Sequence, residues 1–184
     1  MNDPSGFFDQ IAQEDASAAI AHPNDVRLAL HAVTMLDAFF GILHASLYQS
    51  RVIQEQDDSK WKELLAQENK YYRVLRDCAY ALRHGELCRK KPRLVRRPDQ
   101  IVSKGGAFQS NAFQSNGFQM DKVWIETEEG DYRADVVIKN VLEIARQSLL
   151  KYGANADSWR RTARGRTRMT TKGWIAILLR RTLA

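Results

Sequence analysis

Cysteine is scarce in this chain. Its 184 residues include two cysteines, Cys78 and Cys88, ten positions apart. Two thiols are too few for a disulfide framework or a cysteine-rich zinc site, and they fit a reducing compartment. The N-terminus lacks the basic start and apolar run of a signal peptide, and no apolar run approaches the roughly 20 residues of a spanning helix. We therefore expect a soluble cytoplasmic protein that does not cross a membrane.

The signatures of common cofactor and metal enzymes are also missing. The sequence contains no P-loop, no GxGxxG, no HExxH and no Ser-His-Asp order in a recognisable context. We therefore predict neither a cofactor nor a metal site. Apolar residues, in contrast, are plentiful: 44% of the chain is hydrophobic, with seven Phe, six Tyr and four Trp. This content is enough to fill the core of one compact domain.

Positive charge is concentrated at the C-terminal end. Residues 151–184 hold nine Lys or Arg and the single Asp157, a net charge of +8, whereas the whole chain carries +6. The body of the protein is therefore close to neutral. We expect residues 154–184 to form a basic tail, either an arm that grips phosphates or an extension. Residues 1–22 are predicted to form an N-terminal helical segment, and residues 23–153 the main domain.

Apolar residues spaced by threes and fours predict three further helices. The first covers about 25–50, with Asn24 or Asp25 as its cap. Its apolar stripe consists of Ala29, Val33, Leu36, Phe40, Leu43 and Leu47. The second covers about 59–84 and runs from a Ser59 cap to Gly85. The third covers about 134–152 and ends at Gly153. The first two are long enough to form an αα-hairpin, so we predict a mainly α fold.

The chain between the second and third helices has a different character. Residues 86–104 form a basic connector with two prolines, and Phe108, Phe113 and Phe118 then recur every five residues. That period suits neither a helix nor a simple strand, so we interpret it as a loop pinned by aromatic side chains. Residues 123–127 and 132–133, separated by EEGD, predict a small β-hairpin.

The end of the second helix carries the densest polar cluster. At 100° per residue, His84 lies opposite the buried position Leu75, and Asp77 and Tyr80 fall within about 40° of His84. Arg76 lies at the flank of the apolar stripe and can reach Tyr80 one turn later. This face is either an acid/base site or an ordinary solvated helix surface, with the helix dipole favouring a terminal histidine.

Asp37 and His44 form a second, weaker candidate on the first helix. They are seven residues apart and lie on the same side. The pair either ligates a metal or braces the helical core, and the second interpretation is favoured because no further ligand is evident.

The stretch LRDCAYALRHGELCRKKPRLVRRPDQI, with the aromatics, hairpin and helix that follow, resembles an uncharacterised bacterial family. Its members carry an RD-x-A-x-A-x-KH-x-x-L-type motif, and their helical hairpin resembles HEPN domains. The resemblance covers about residues 24–152. It implies a HEPN-like helical bundle with two long central helices, a small β-hairpin and a closing helix. Many HEPN proteins are metal-independent ribonucleases that bring an Arg and a His together at a homodimer interface; others are binding or assembly modules.

For a ribonuclease, the resemblance implies that Arg76 and His84 are catalytic. His84 would transfer a proton at the ribose 2′-hydroxyl or the leaving oxygen, and Arg76 would neutralise charge on the phosphate. Tyr80 would position that phosphate, and Asp77 lies on the same face. The nucleic-acid backbone would be held by the basic run of Arg89, Lys90, Lys91, Arg93, Arg96 and Arg97.

Two functions from different classes therefore stay open. One is a metal-independent ribonuclease or RNA-directed defence component. The other is a non-catalytic helical module that binds a protein partner or nucleic acid through the connector and the aromatic loop. A homodimer is expected in either case, because the first helix is apolar almost all round and self-association would bury that surface.

Overall fold

The computed structural model of the chain describes residues 3–87, 93–104 and 121–166, with side chains described as far as residue 152. Contacts divide the chain into two units, Met1–Gln147 and Ser148–Ala184. The helical core, the sheet and the candidate site belong to the first unit. Several predictions concern positions outside the described residues, namely the aromatic loop at 108–118, the basic side chains of Arg89, Lys90 and Lys91, and the tail beyond Arg166.

The N-terminal segment is helical in three consecutive parts. Helix α1 covers Pro4–Phe7, a π-helical stretch covers Phe8–Ala12, and α2 covers Gln13–Ala21. Asp3 caps the start by accepting a hydrogen bond from the Ser5 amide at 3.1 Å. Phe8 packs on Phe39 of the next helix with ring centroids 5.2 Å apart. The segment therefore covers part of the apolar surface from which the homodimer is predicted.

Helix α3 covers Val26–Gln49 and confirms the first predicted helix. Asp25 is the cap: its Oδ1 accepts a hydrogen bond from the Leu28 amide at 3.1 Å. Every residue of the predicted stripe is buried. Phe40, in the middle of that stripe, packs on Tyr72 at 4.6 Å and on Trp61 at 6.5 Å between ring centroids. These contacts join α3 to the two helices that follow.

The second predicted helix is wrong in two respects, and the first is that it is two helices rather than one. Helix α4 covers Asp58–Glu68 and α5 covers Lys70–His84. Asn69 between them is extended (φ −139°, ψ 115°), and its side chain accepts hydrogen bonds from the Tyr71 and Tyr72 amides. Asn69 thus ends one helix and caps the next. The start is also corrected: Asp57, not Ser59, caps α4.

Gly85 ends α5 as predicted. Its φ of +70° is a conformation that a residue with a Cβ adopts only under strain. We expect Gly85→Ala to lower the free energy of unfolding by about 1 to 3 kcal/mol. Gly41→Ala is the matched control, because Gly41 is helical and an added Cβ would meet Lys62 Nζ at an ordinary 3.6 Å. That control should raise the free energy of unfolding by up to about 1 kcal/mol. Equal effects in urea denaturation would contradict this assignment.

A three-stranded antiparallel sheet begins in the last residues of the connector. Strands β2 (Lys122–Ile125) and β3 (Tyr132–Arg133) form the predicted hairpin. Strand β1 (Ile101–Lys104) was not predicted; it lies within the residues assigned to the connector, after a 3-10 turn at Pro98–Gln100. It pairs with β2 in the register Ile101↔Ile125 to Lys104↔Lys122.

Helix α6 covers Ala134–Arg166 and begins where the closing helix is predicted to begin. The predicted end is wrong, because the helix continues through Gly153 to Arg166. A helical glycine costs only about 1 kcal/mol relative to alanine, so it does not by itself end a helix. The apolar face is buried at Val137, Ile138, Val141, Leu142 and Ala145. The described residues are mainly helical and include one small three-stranded sheet, so the predicted mainly α fold class is confirmed.

Helix α3 corrects the expectation that no apolar segment approaches the length of a membrane-spanning helix. Val26–Gln49 is long and apolar enough to cross a membrane by length and composition alone, with a mean hydropathy of 1.6 over its most apolar window. Ten of its residues are buried within the fold, among them the charged Asp37. The helix therefore has the contacts of a core helix, whereas the location of the protein in the cell stays a prediction.

Candidate nucleic-acid interface

Arg76 of α5 is a buried residue, not a residue at the edge of a polar face. It is 3% exposed, and its Nε and Nη2 donate hydrogen bonds to Asp77 Oδ1 at 3.3 and 3.0 Å. Its Nη1 lies 2.9 Å from Glu63 Oε2 of α4, in an ion pair without hydrogen-bond alignment. Arg76 therefore joins α4 to α5. The predicted contact between Arg76 and Tyr80 is replaced by these two ion pairs.

Asp77 is fully buried, which corrects its predicted place on an outer face. Its Oδ1 accepts a hydrogen bond from Arg93 Nη1 at 2.7 Å, in addition to those from Arg76. Its Oδ2 accepts the backbone amide of Leu94 at 2.8 Å. The connector crosses α5 here and buries the apolar side chains of Leu94 and Val95. Asp77 thus holds the connector against the helix, since a buried carboxylate requires such partners.

Tyr80 and His84 lie together at the C-terminal end of α5. Their ring centroids are 5.0 Å apart, and His84 is exposed. Two guanidinium groups lie over the Tyr80 ring: Arg83 Cζ at 5.4 Å and Arg93 Cζ at 4.8 Å from its centroid. Cations at these distances are attracted by the negative face of the ring. We call this group of Tyr80, Arg83, His84 and Arg93 the Tyr80 surface.

The predicted catalytic pair is not brought together within the chain. From Arg76 to His84 the helix rises about 12 Å. Arg76 is buried in ion pairs, whereas His84 is exposed at the helix end. Among the described contacts, no hydrogen bond, ion pair or ring contact joins these two side chains. A catalytic role of Arg76 would require its ion pairs to open.

Each basic residue of the connector that the structure describes has an acidic partner. Arg93 pairs with Asp77, Arg96 Nη2 lies 2.9 Å from Glu128 Oε1, and Arg97 Nε lies 3.1 Å from Asp99 Oδ1. The first pair is buried and the other two are partly exposed. The described part of the connector, residues 93–104, is therefore less positive than its sequence indicates.

Asp37 of α3 lies in a buried charge cluster. Its Oδ2 accepts hydrogen bonds from Lys62 Nζ at 3.2 Å and from Arg83 Nη2 at 2.7 Å. Lys62 also donates to the Asp37 carbonyl and lies 3.6 Å from Asp58. The cluster joins α3, α4 and α5, and Arg83 connects it to the Tyr80 surface. A lone carboxylate in the apolar stripe was the available sequence signal, but spacing alone did not identify its two cations.

Tyr72 lies in the field of this cluster, whereas His44 has other partners. Burial, followed by the negative charge of Asp37, raises the pKa of Tyr72 well above its ordinary value, so the hydroxyl stays protonated. His44 instead bonds through Nε2 with the Glu55 carbonyl at 2.9 Å and contacts Trp61. No group of three His, Cys, Asp or Glu that could hold a metal occurs among the residues the structure describes. The contacts of Asp37 with Lys62 and Arg83, and of His44 with Glu55 and Trp61, are those of side chains that brace the helical core.

An acidic turn between β2 and β3 contacts three cations from three other elements. We define it by its carboxylates: Glu126, Glu128, Glu129 and Asp131. Glu128 pairs with Arg96 of the connector and Glu129 with Arg73 of α5, the latter at 3.5 Å. Lys104 of β1 donates to Asp131 at 2.6 Å and lies 2.8 Å from Glu126. These two hydrogen bonds raise the pKa of the Lys104 ammonium.

Comparison of the chain with family models, curated proteins and solved structures found no match. The resemblance to HEPN-like domains therefore stays a prediction.

Proposed function

We propose that the chain is a helical module that binds RNA through the Tyr80 surface and does not use Arg76 for catalysis. One observation carries the proposal: the Tyr80 ring lies under two guanidinium groups, with the exposed imidazole of His84 beside it. Single-stranded nucleic acid is bound by this combination, in which bases stack on aromatic rings and cations contact the phosphates.

Arg83 supplies the accessible cation of this surface. Its side chain is 48% exposed, although Nη2 is bound to Asp37. A guanidinium has five N–H donors, so Arg83 keeps donors for a phosphate oxygen. Arg93 is 11% exposed and contributes mainly by holding the ring and the connector in place. The exposed His84 ring is the position at which a base would stack.

The surface is held in shape by two buried carboxylates. Asp37 anchors Arg83, and Asp77 anchors Arg93. Both guanidinium groups are thus fixed before a ligand arrives, which reduces the entropy that binding would lose. The basic residues Arg89, Lys90 and Lys91 follow His84 closely in the sequence and add positive charge to this part of the chain.

The proposal predicts that His84→Ala weakens binding of a single-stranded 20-nucleotide RNA by about 5- to 150-fold, the value of one base stacked on an aromatic ring. Tyr80→Leu, which removes the ring that Arg83, Arg93 and His84 contact, should also weaken binding, because the cations and the imidazole then lose their fixed positions. Tyr48→Leu is the matched control, because Tyr48 is exposed and stacked on His44 but has no arginine over its ring among the described contacts. Fluorescence anisotropy at fixed salt measures all three. Unchanged affinity in both Tyr80 surface variants would contradict the proposal.

A metal-independent ribonuclease is the second candidate function. The observation in its favour is the exposed His84, which lies on the same proposed RNA-binding surface and can transfer protons. The buried ion pairs of Arg76 weigh against it. A homodimer, a protein partner and a HEPN-like relationship stay predictions in both cases.

A further inference from the structure

The acidic turn is a fixed structure rather than a loose loop. Thr127 Oγ1 donates to the Gly130 carbonyl at 2.6 Å and accepts from the Glu129 amide at 3.2 Å. Gly130 has a φ of +130°, which glycine adopts readily. The hairpin is attached to α5 by an edge-to-face contact between Tyr132 and Tyr71, with ring centroids 6.4 Å apart. The four carboxylates are therefore presented at set positions.

The cations that meet this turn come from separate parts of the chain. Arg73 lies on α5, Arg96 on the connector and Lys104 on β1, and each pairs with a carboxylate of the turn. Three long basic side chains converging on a row of carboxylates would equally suit a row of phosphates, which also present anionic oxygens to cations. The turn thus occupies a surface with the chemistry of a phosphate-binding site.

The pairs are exposed enough to be exchanged. Glu128 and Glu129 are 67% and 54% exposed, and their arginine partners are about one-third exposed. Ion pairs of this kind are weak and screened by salt. A polyanion that releases counterions on binding can therefore compete with them.

Two of the cations that pair with the acidic turn lie on the same elements as the Tyr80 surface, namely α5 and the connector. Arg96 is three residues from Arg93, and Arg73 lies on the same helix as Tyr80. An RNA strand bound at Tyr80 and His84 would therefore have further cations along α5 and the connector.

We propose that the acidic turn is a built-in competitor: its carboxylates pair with Arg73, Arg96 and Lys104, and exchange of these ion pairs for phosphate contacts extends the binding track for single-stranded RNA. This inference rests on the proposed RNA-binding function and adds its regulation. The turn limits affinity, because the arginines contact phosphates only after their ion pairs with its carboxylates have opened.

The test compares the full-length wild type with the double variant E128Q/E129Q. The variant frees Arg73 and Arg96 without changing the size of either side chain. The control is E14Q/E68Q, which changes the net charge equally at exposed positions on α2 and α4 where the described contacts include no paired cation. Affinity for the same 20-nucleotide RNA is measured by anisotropy between 50 and 200 mM salt. Melting temperatures confirm that all three proteins are folded.

We expect E128Q/E129Q to bind about tenfold more tightly than the wild type at 100 mM salt. The slope of log K against log salt should become more negative by about 1.4, because each added single-strand phosphate contact contributes about 0.7. The control should show neither change. If the wild type binds the RNA and E128Q/E129Q binds it no more tightly, the proposed role of the turn as a competitor is wrong. The proposed RNA-binding function is unaffected by that result. No RNA binding by either protein would overturn both, and binding of poly-glutamate but not RNA would replace RNA with an acidic protein partner.

Discussion

Replacing Asp37 with alanine is expected to lower the free energy of unfolding by about 3 to 5 kcal/mol. The Asp37 carboxylate is 2% exposed and accepts hydrogen bonds from Lys62 and Arg83. Without it, the Lys62 ammonium remains buried with only the exposed Asp58 as a charged partner. A buried charge that loses its counter-charge is costly, because it has lost its hydration without compensation.

Asp58→Ala is the matched control for this measurement, since Asp58 pairs with the same lysine. Its side chain is half exposed and 3.6 Å away, so its loss should cost about 1 kcal/mol or less. The double variant D37L/K62M removes both buried charges and should recover much of the loss, as apolar replacements of buried pairs commonly do. Urea denaturation measures each protein. Similar small losses in Asp37→Ala and Asp58→Ala would show that the cluster does not hold the three helices together.

Asp77→Ala is expected to have a comparable effect, about 3 to 5 kcal/mol, for a different reason. The substitution leaves the Leu94 amide and the Arg76 guanidinium buried without their acceptor. It also removes the anchor of Arg93, so the connector should detach from α5 while the aromatic core of α3 and α5 persists.

Two readouts separate these effects. Urea denaturation gives the stability, and hydrogen exchange at the Leu94 amide reports whether the connector has opened. Asp99→Ala is the control: Asp99 is an exposed partner of the connector residue Arg97, and its loss should cost about 0.5 kcal/mol or less. A Leu94 amide that stays protected in Asp77→Ala would contradict the assigned anchoring role.

The parts of the fold that sequence predicts correctly depend on local signals. Helix α3 has an Asp25 cap followed by a continuous apolar stripe, and α5 ends at a glycine with positive φ. The hairpin of β2 and β3 has a glycine-containing turn between two short strands. In each case neighbouring residues determine the conformation, so a single sequence is sufficient.

Several errors have non-local causes. Asp77 falls on the polar side of α5, but Arg93 and Leu94 of the connector, 16 and 17 positions later, bind its carboxylate. Strand β1 is four residues long and depends on pairing with β2 across the intervening loop. The error at Asn69 has a local cause instead: apolar residues on both sides predict one continuous stripe, whereas the asparagine between them is a frequent helix cap. The cations that accompany Asp37 come from two other helices.

The most direct test of the central claim incubates end-labelled single-stranded RNA in excess EDTA with the wild type, Arg76→Ala and His84→Ala, followed by native and denaturing gels. We predict that the wild type shifts the RNA without cutting it and that His84→Ala shifts it less. Arg76→Ala should have a lowered melting temperature, because its buried ion pairs are lost. Cleavage by the wild type that disappears in both variants, with melting temperatures unchanged, would contradict the claim and establish a metal-independent ribonuclease.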